Sequence, residues 1–274
     1  MEDRRLTVEN VKEVICCPGG LEVKGKRFKG DLGLTVRWRE EMLRLGMRGF
    51  ISYRDGLARG FVEYMSAETA PFPIEAPGAA VLMCYHWISA DESDEEEHLA
   101  QERRLIELVR EEAKGKGEFT GLATLGWDHP THFPIAMLEE LGFRQVERTD
   151  YIALMWLPFQ KGPQPRMAPA RFEPQDLSSQ GLLAIESAWS SRCPYSIHHA
   201  ARLKEAIAAI PEQDRGLIRH FPHLIDTREE ALRWSRSPWD WDWLFLNGEE
   251  IAIHELKGEE LQELLMEKIA KLKR

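Results

Sequence analysis

Ala79-Ala80-Val81-Leu82-Met83-Cys84-Tyr85-His86-Trp87-Ile88 is an almost continuous apolar run of strand length. Such a run is expected of a strand buried on both faces. Ser89-Ala90-Asp91-Glu92-Ser93-Asp94-Glu95-Glu96-Glu97 follows, and six of the seven residues from Asp91 to Glu97 are carboxylates. Leu99, Leu105, Ile106, Leu108, Val109 and Ala113 then recur at helical spacing. A central strand that feeds a helix N-terminus is a natural anion cradle, because the first amides are unpaired and the helix dipole is positive there. In this chain that place is filled with negative charge, and the functional question turns on the conflict.

The surrounding chain has 274 residues, a length that suits two ordinary domains or one large one. Hydrophobic residues make up 43% and charged residues 30%, the composition of a globular protein. A net charge of −10 argues against nucleic acid or an anionic membrane as partner. No apolar run reaches bilayer length and the start, Met1-Glu2-Asp3-Arg4-Arg5, does not read as a signal peptide, so the expected location is cytoplasmic. Cys16, Cys17, Cys84 and Cys193 are too few and too scattered for a disulfide framework. They read as buried thiols, with adjacent Cys16 and Cys17 also able to chelate a soft metal or act in redox chemistry.

Upstream of the opening strand, Lys24, Lys26, Arg27 and Lys29 form a basic loop, and Thr35 is expected to cap a helix reaching Leu45. Two strands flank the turn dipeptide Asp55-Gly56. Downstream come a strand from Phe119 to Leu125, a loop through His132, a short helix from Pro134 to Leu141, and strands from Phe143 to Glu147 and Tyr151 to Leu157. Residues 161–180 are proline-rich and lack an apolar pattern, so they read as a linker between domains at 1–160 and 181–274. The second domain reads β-α-β-α-β-β-α. It has a strand interrupted at Pro222, a capping box at Thr227–Glu230 and a hairpin turn at Asn247-Gly248.

Cys193 stands at the entrance of a predicted helix beside Arg192, a setting that favours a thiolate, with His198 and His199 following. Ser196 stands where a resolving cysteine would be needed for a local disulfide. Asp128-His129-x-x-His132 and His220-x-x-His223 are weak metal-ligand spacings and read as surface histidines, so no metal centre is assigned. Trp234, Trp239, Trp241 and Trp243 read as packing for a small domain.

The second domain's order, with Cys193-Pro194-Tyr195-Ser196 entering its first helix and Pro238 before the hairpin, resembles a thioredoxin-like domain. The first domain resembles the GNAT superfamily of N-acetyltransferases. The resemblance rests on the element order, the central strand with its helix, and Leu138-Glu139-Glu140-Leu141-Gly142-Phe143 before the last two strands. Cys16-Cys17, Glu63-Tyr64-Met65-Ser66-Ala67-Glu68, Pro73-Ile74-Glu75-Ala76, Cys84 before Trp87, Cys193-Pro194-Tyr195 and Leu244-Phe245-Leu246-Asn247-Gly248 together resemble YoaP-like proteins. Those join the two domain types along nearly the whole chain.

The resemblance implies an α/β (α+β) fold and acetyl transfer from acetyl-CoA to an amine on a small molecule or peptide. It implies cofactor contacts at Trp87, Ile88, Ser89, His98 and Leu99. A base is sought at Glu63, Glu68 or His86, and a general acid at Tyr151. The chain departs from the family at the pyrophosphate loop, because no glycine occurs between Ala79 and Lys114. Carboxylates beside a pyrophosphate cost several kcal/mol. The alternative is therefore a degenerate acyltransferase fold that has lost CoA binding. It would serve as a ligand- or metal-binding or interaction module, with a monothiol site at Cys193.

Overall fold

Apolar residues on both faces of the 80–87 run require covering layers above and below, and the chain supplies them. A computed structural model describes residues 1–14, 28–87, 95–115, 117–128, 133–149, 152–235, 242–256 and 258–273. The expectations at Cys16, Cys17, Lys24, Lys26, Arg27, Ile88, Ser89, residues 91–94, His129, His132, Tyr151, Pro238, Trp239 and Trp241 lie outside the described residues.

The protein is a mixed α/β fold. Its first unit contains β1 (Glu2–Arg5), a 3₁₀ turn (Val11–Val14), α1 (Gly33–Arg44), β2 (Arg48–Arg54), β3 (Leu57–Ser66), β4 (Ile74–Glu75) and β5 (Ala80–Trp87). α2 (Glu95–Gly115), β6 (Gly121–Trp127), α3 (Ile135–Glu140), β7 (Arg144–Thr149) and β8 (Ile152–Pro158) complete it. Among the described residues, seven strands form one sheet in the order β1-β2-β3-β5-β6-β8-β7, in which only the central β5–β6 pair is parallel. The pleat sends alternate side chains to opposite faces. Val81, Met83, Leu125 and Leu154 pack with Trp38 and Met42 of α1. Ala80, Leu82, Leu122 and Met155 pack with Leu105, Ile106 and Val109 of α2 and Leu138 of α3.

The second unit follows β9 (Arg166–Met167). It comprises β10 (Leu183–Trp189), α4 (Pro194–Ala208), α5 (Glu212–Arg215), β11 (Ile218–Leu224), α6 (Arg228–Trp234), β12 (Leu244–Leu246), β13 (Glu249–Ile251) and α7 (Gly258–Leu272). The order is β-α-β-α-β-β-α with the one-turn α5 added. The sheet order is β11-β10-β12-β13, with β10 and β11 parallel and the other pairs antiparallel. Leu183, Ile185, Leu244 and Leu246 face Leu203 of α4 and Leu261, Leu265 and Ile269 of α7. Ala188, Ile225, Ala231, Trp243 and Phe245 instead join the cluster that holds α1 and Met83, so the two units share one apolar core. Among the described residues no helix is long and apolar enough to cross a membrane.

Two local expectations are corrected. Helix α1 starts before Thr35, because the Asp31 carboxylate accepts from the Gly33 N–H at 2.8 Å and pairs with Arg37; Thr35 is buried inside the helix. Pro222 does not interrupt β11, because β11 is an edge strand and an edge tolerates a missing N–H. The stretch 161–180, expected as a linker, makes contacts with both units. β9 pairs with β4, Phe172 stacks on Trp243 at 4.5 Å between centroids, and the Gln175 N–H donates to Glu186 at 2.6 Å. Both tight turns form as the sequence implies, with positive φ at Asp55 and Gly56 and at Asn247 and Gly248.

Candidate functional site

The central strand pair opens. β5 and β6 are in register only at Ala80–Leu122 and Val81–Ala123, although β5 continues to Trp87 and β6 to Trp127. The Thr124 hydroxyl donates to the Leu82 carbonyl at 3.0 Å just past the last pair. Beyond it the two strands exchange no ladder bonds, so from there one backbone edge of β5 has no β6 partner, a gap in the ladder. The other edge is held by β3 as far as Gly60–Trp87, through a bulge at Glu63/Tyr64. Gly60 is needed there: a Cβ would lie 2.5 Å from Cε3 of Trp87 and 2.8 Å from the His86 carbonyl.

Trp87 is fully buried at the end of β5, with the Arg54 guanidinium 5.4 Å from its ring. Arg54 also pairs with Glu97 in the first turn of α2. One carboxylate of the acidic run is thereby neutralised and tied to the sheet. Tyr85 packs on Phe133 at 4.2 Å between centroids, and burial together with nearby Glu102 pushes its hydroxyl well above the usual range.

His86 reaches α2. Glu102 Oε1 is 3.5 Å from His86 Nδ1 and 3.1 Å from His98 Nε2. The two imidazole rings meet edge-on at 5.2 Å. Burial raises the Glu102 carboxyl, but hydrogen bonds from both imidazoles outweigh it and hold the group below its usual value. Sequence reading singled out His86 and His98 separately and missed Glu102. The available signal was the four-residue step from His98 to Glu102, which puts both on one helix face.

The other candidates are placed elsewhere. Glu63 is not positioned as a base; it is buried in an ion pair with Arg39 of α1, which takes both carboxylate oxygens. Glu68 lies past the start of β5, about 20 Å of strand from Trp87. There it accepts from the Gly78 N–H at 2.7 Å and from the Ser66 hydroxyl. Burial raises its carboxyl, but these bonds and Arg228 hold it below its usual value. Leu99 is half-buried in α2 against the α2-side core.

Cys193 is the N-cap residue of α4. Burial pushes its thiol up, despite N–H groups of Ser196 and Tyr195 and the neighbouring Arg192, so the expected stabilised thiolate is not supported. Arg192 is itself buried, 4.4 Å from the Phe72 ring centroid, and burial pushes it down to about 10 against the opposing pull of Cys84, Cys193 and Glu63. A separate cleft of about 890 Å³ lies in the second unit, lined by Phe172, Glu186, Phe221, His223 and Trp234 among others; no residue of the strand gap lines it. Trp234 stacks on His223 there at 4.0 Å.

No protein-family model matches the chain, and no curated protein matches it. Solved structures similar to it include acetyltransferases. A ribosomal-protein-alanine N-acetyltransferase from Brucella melitensis is 16% identical over 61% of this chain and 99% of its own, with a TM-score of 0.41. Aminoglycoside 6′-acetyltransferase type Ii is 14% identical over 60% of this chain and all of its own, with a TM-score of 0.42. A GNAT family acetyltransferase from Brucella melitensis in complex with acetyl-CoA is 14% identical over 61% and 94%, with a TM-score of 0.41.

Proposed function

We propose that the chain is a GNAT-type N-acetyltransferase that moves the acetyl group of acetyl-CoA to an amine of a small molecule or peptide. The observation that carries this is the divergence of β5 from β6 after two paired positions, directly before a 21-residue helix. An open strand edge offers alternating N–H and C=O groups to an extended amide-bearing arm, as a neighbouring strand would. The first amides of α2 lie beyond it and suit a pyrophosphate.

Within the acidic run, Glu97 is paired with Arg54, which offsets one of its charges. Acidic residues in a first helical turn also stabilise the helix itself. Acetyl-CoA supplies the activated thioester. The chain's own part is to hold the arm on the β5 edge, to exclude water with Trp87, Tyr85 and Phe133, and to orient the amine. The amine's proton acceptor is sought at the gap and not at Glu63 or Glu68, whose carboxylates are engaged elsewhere.

We read the second unit as thioredoxin-like. Its support is the order β11-β10-β12-β13 with parallel β10 and β11, α4 and α7 on one face, and Cys193 at the start of α4. Its raised thiol suits a positioning role better than redox catalysis.

Calorimetric titration of the full chain with acetyl-CoA tests the proposal. Saturable binding at micromolar concentration is expected. Absence of binding up to millimolar concentration, with the protein folded, would overturn it.

A further inference from the structure

The first helical turns of α2 and the end of β5 bring three ligand-type side chains to one point. His98 and Glu102 share a helix face, and His86 meets them from the strand. We propose that His86, His98 and Glu102 form a site for one divalent transition-metal ion of the zinc class. The site stands independently of acetyl transfer.

Spacing is the first support. One ligand atom from each residue lies within 4.8 Å of the others, and Glu102 Oε1 stands 3.1 and 3.5 Å from the two imidazole nitrogens. Ligands about 2.0–2.2 Å from a tetrahedral ion lie roughly 3.3–3.6 Å from one another. The three atoms therefore need only small side-chain adjustments to share an ion.

Unsatisfied bonding capacity is the second, independent support. The Glu102 side chain is 3% exposed, and its Oε2 has no hydrogen-bond partner among the described residues. A buried carboxylate oxygen without a donor is costly. Both imidazoles crowd the other oxygen instead, which leaves Oε2 for a further electrophile. A cation that takes the carboxylate through one or both oxygens resolves that imbalance.

Donor chemistry selects the ion. Two imidazoles and one carboxylate suit zinc and its first-row neighbours, whereas magnesium and calcium demand all-oxygen shells. His86 and His98 are 23% and 25% exposed, so the remaining coordination positions open toward solvent. Three protein ligands with an open position are the pattern of a site that binds or activates a further oxygen ligand. A metal-bound His86 has no lone pair at that nitrogen for proton transfer, which removes it from the list of bases.

The test uses the full chain, stripped with a chelator and free of acetyl-CoA. It is titrated with Co²⁺, read by visible absorption, and then with competing Zn²⁺. One Co²⁺ per chain is expected, with the bands of a four- or five-coordinate ion that Zn²⁺ erases. His86→Gln and His98→Gln should each weaken binding by at least about 100-fold, the upper range for loss of a mere supporting partner. His129→Gln with His132→Gln should leave it unchanged.

In the unmutated chain, Zn²⁺ should shield His86 and His98 from diethyl pyrocarbonate in peptide mass maps. This readout does not depend on any variant folding. The proposal is overturned if no Co²⁺ binds at millimolar concentration. It is equally overturned if binding persists within about threefold in both single variants, if it follows the His129/His132 variant, or if Zn²⁺ protects neither histidine.

Discussion

Replacing Glu63 by leucine separates a structural carboxylate from a catalytic one. Glu63 pairs directly with the buried guanidinium of Arg39, and its charge also acts on the buried Arg192. Removing one partner of a buried ion pair costs about 3–5 kcal/mol, because the remaining charge keeps its desolvation penalty. The whole of that range is carried forward. Unfolding entropy of about 2.1 cal/mol/K per residue scales to about 0.58 kcal/mol/K for 274 residues. The expected fall in thermal midpoint is therefore about 5–9 °C, in one transition, since the units share a core. Arg39→Met combined with Glu63→Leu should recover most of the loss, as apolar replacement of both partners often does. Calorimetric unfolding of the four proteins in this cycle is the assay. A Glu63→Leu midpoint within 2 °C of the parent, or a double variant no better than the single, would refute the assignment.

Gly60→Ala forces a methyl against the His86 carbonyl and the Trp87 ring; a loss of about 1–3 kcal/mol and a change in tryptophan emission are expected, and an unchanged urea midpoint would count against the packing described. Burial lowers the folded-state values of His198, His220 and His223 from the ordinary histidine value. The unfolded chain then binds more protons as pH falls through about 6.5, so stability is fully present above that value and declines toward the depressed folded values; a urea midpoint that is flat or rises between pH 8 and about 5.5 would contradict it. Cys193 should alkylate with an apparent pKa above that of free cysteine, about 8.5, and a value below it would restore the activated thiol.

What the sequence discloses depends on whether a feature is local. The 80–87 strand, the α2 apolar stripe, the turns at Asp55-Gly56 and Asn247-Gly248 and the Thr227 capping box are set by neighbouring residues, and all are present. Features fixed by distant partners are not legible. Nothing near Glu63 in sequence announces Arg39, twenty-four residues earlier, and a glutamate on a strand reads equally as a base. Composition makes 161–180 read as a linker, and it does not display that Phe172 is held by the aromatic side chains of Trp243 and His223, which only the second sheet brings together. Cys193 shows the limit of a local rule. A helix N-terminus and an adjacent arginine favour the thiolate, but burial at the shared core opposes them and wins. Likewise Glu102 lies in the middle of an ordinary acidic helix, and only the crossing of β5 over α2 makes it a shared partner of two histidines.

The end of β5 is asked to do two things, and strand geometry lets it do both. Hydrogen-bonding groups of a strand lie in the plane of the sheet, whereas side chains stand across it. The edge opened by the loss of β6 pairing is therefore available to an extended ligand in the sheet plane. His86 meanwhile leaves that plane to meet Glu102 on the covering helix. A cation held by His86, His98 and Glu102 adds positive charge one turn into the helix whose first turn carries Glu96 and Glu97. Arg54 already offsets Glu97 from the sheet side. The acidic run that argued against an anionic ligand is thus flanked by compensating charge that the linear sequence does not display, and the repulsion falls before the geometry of the cradle has to change.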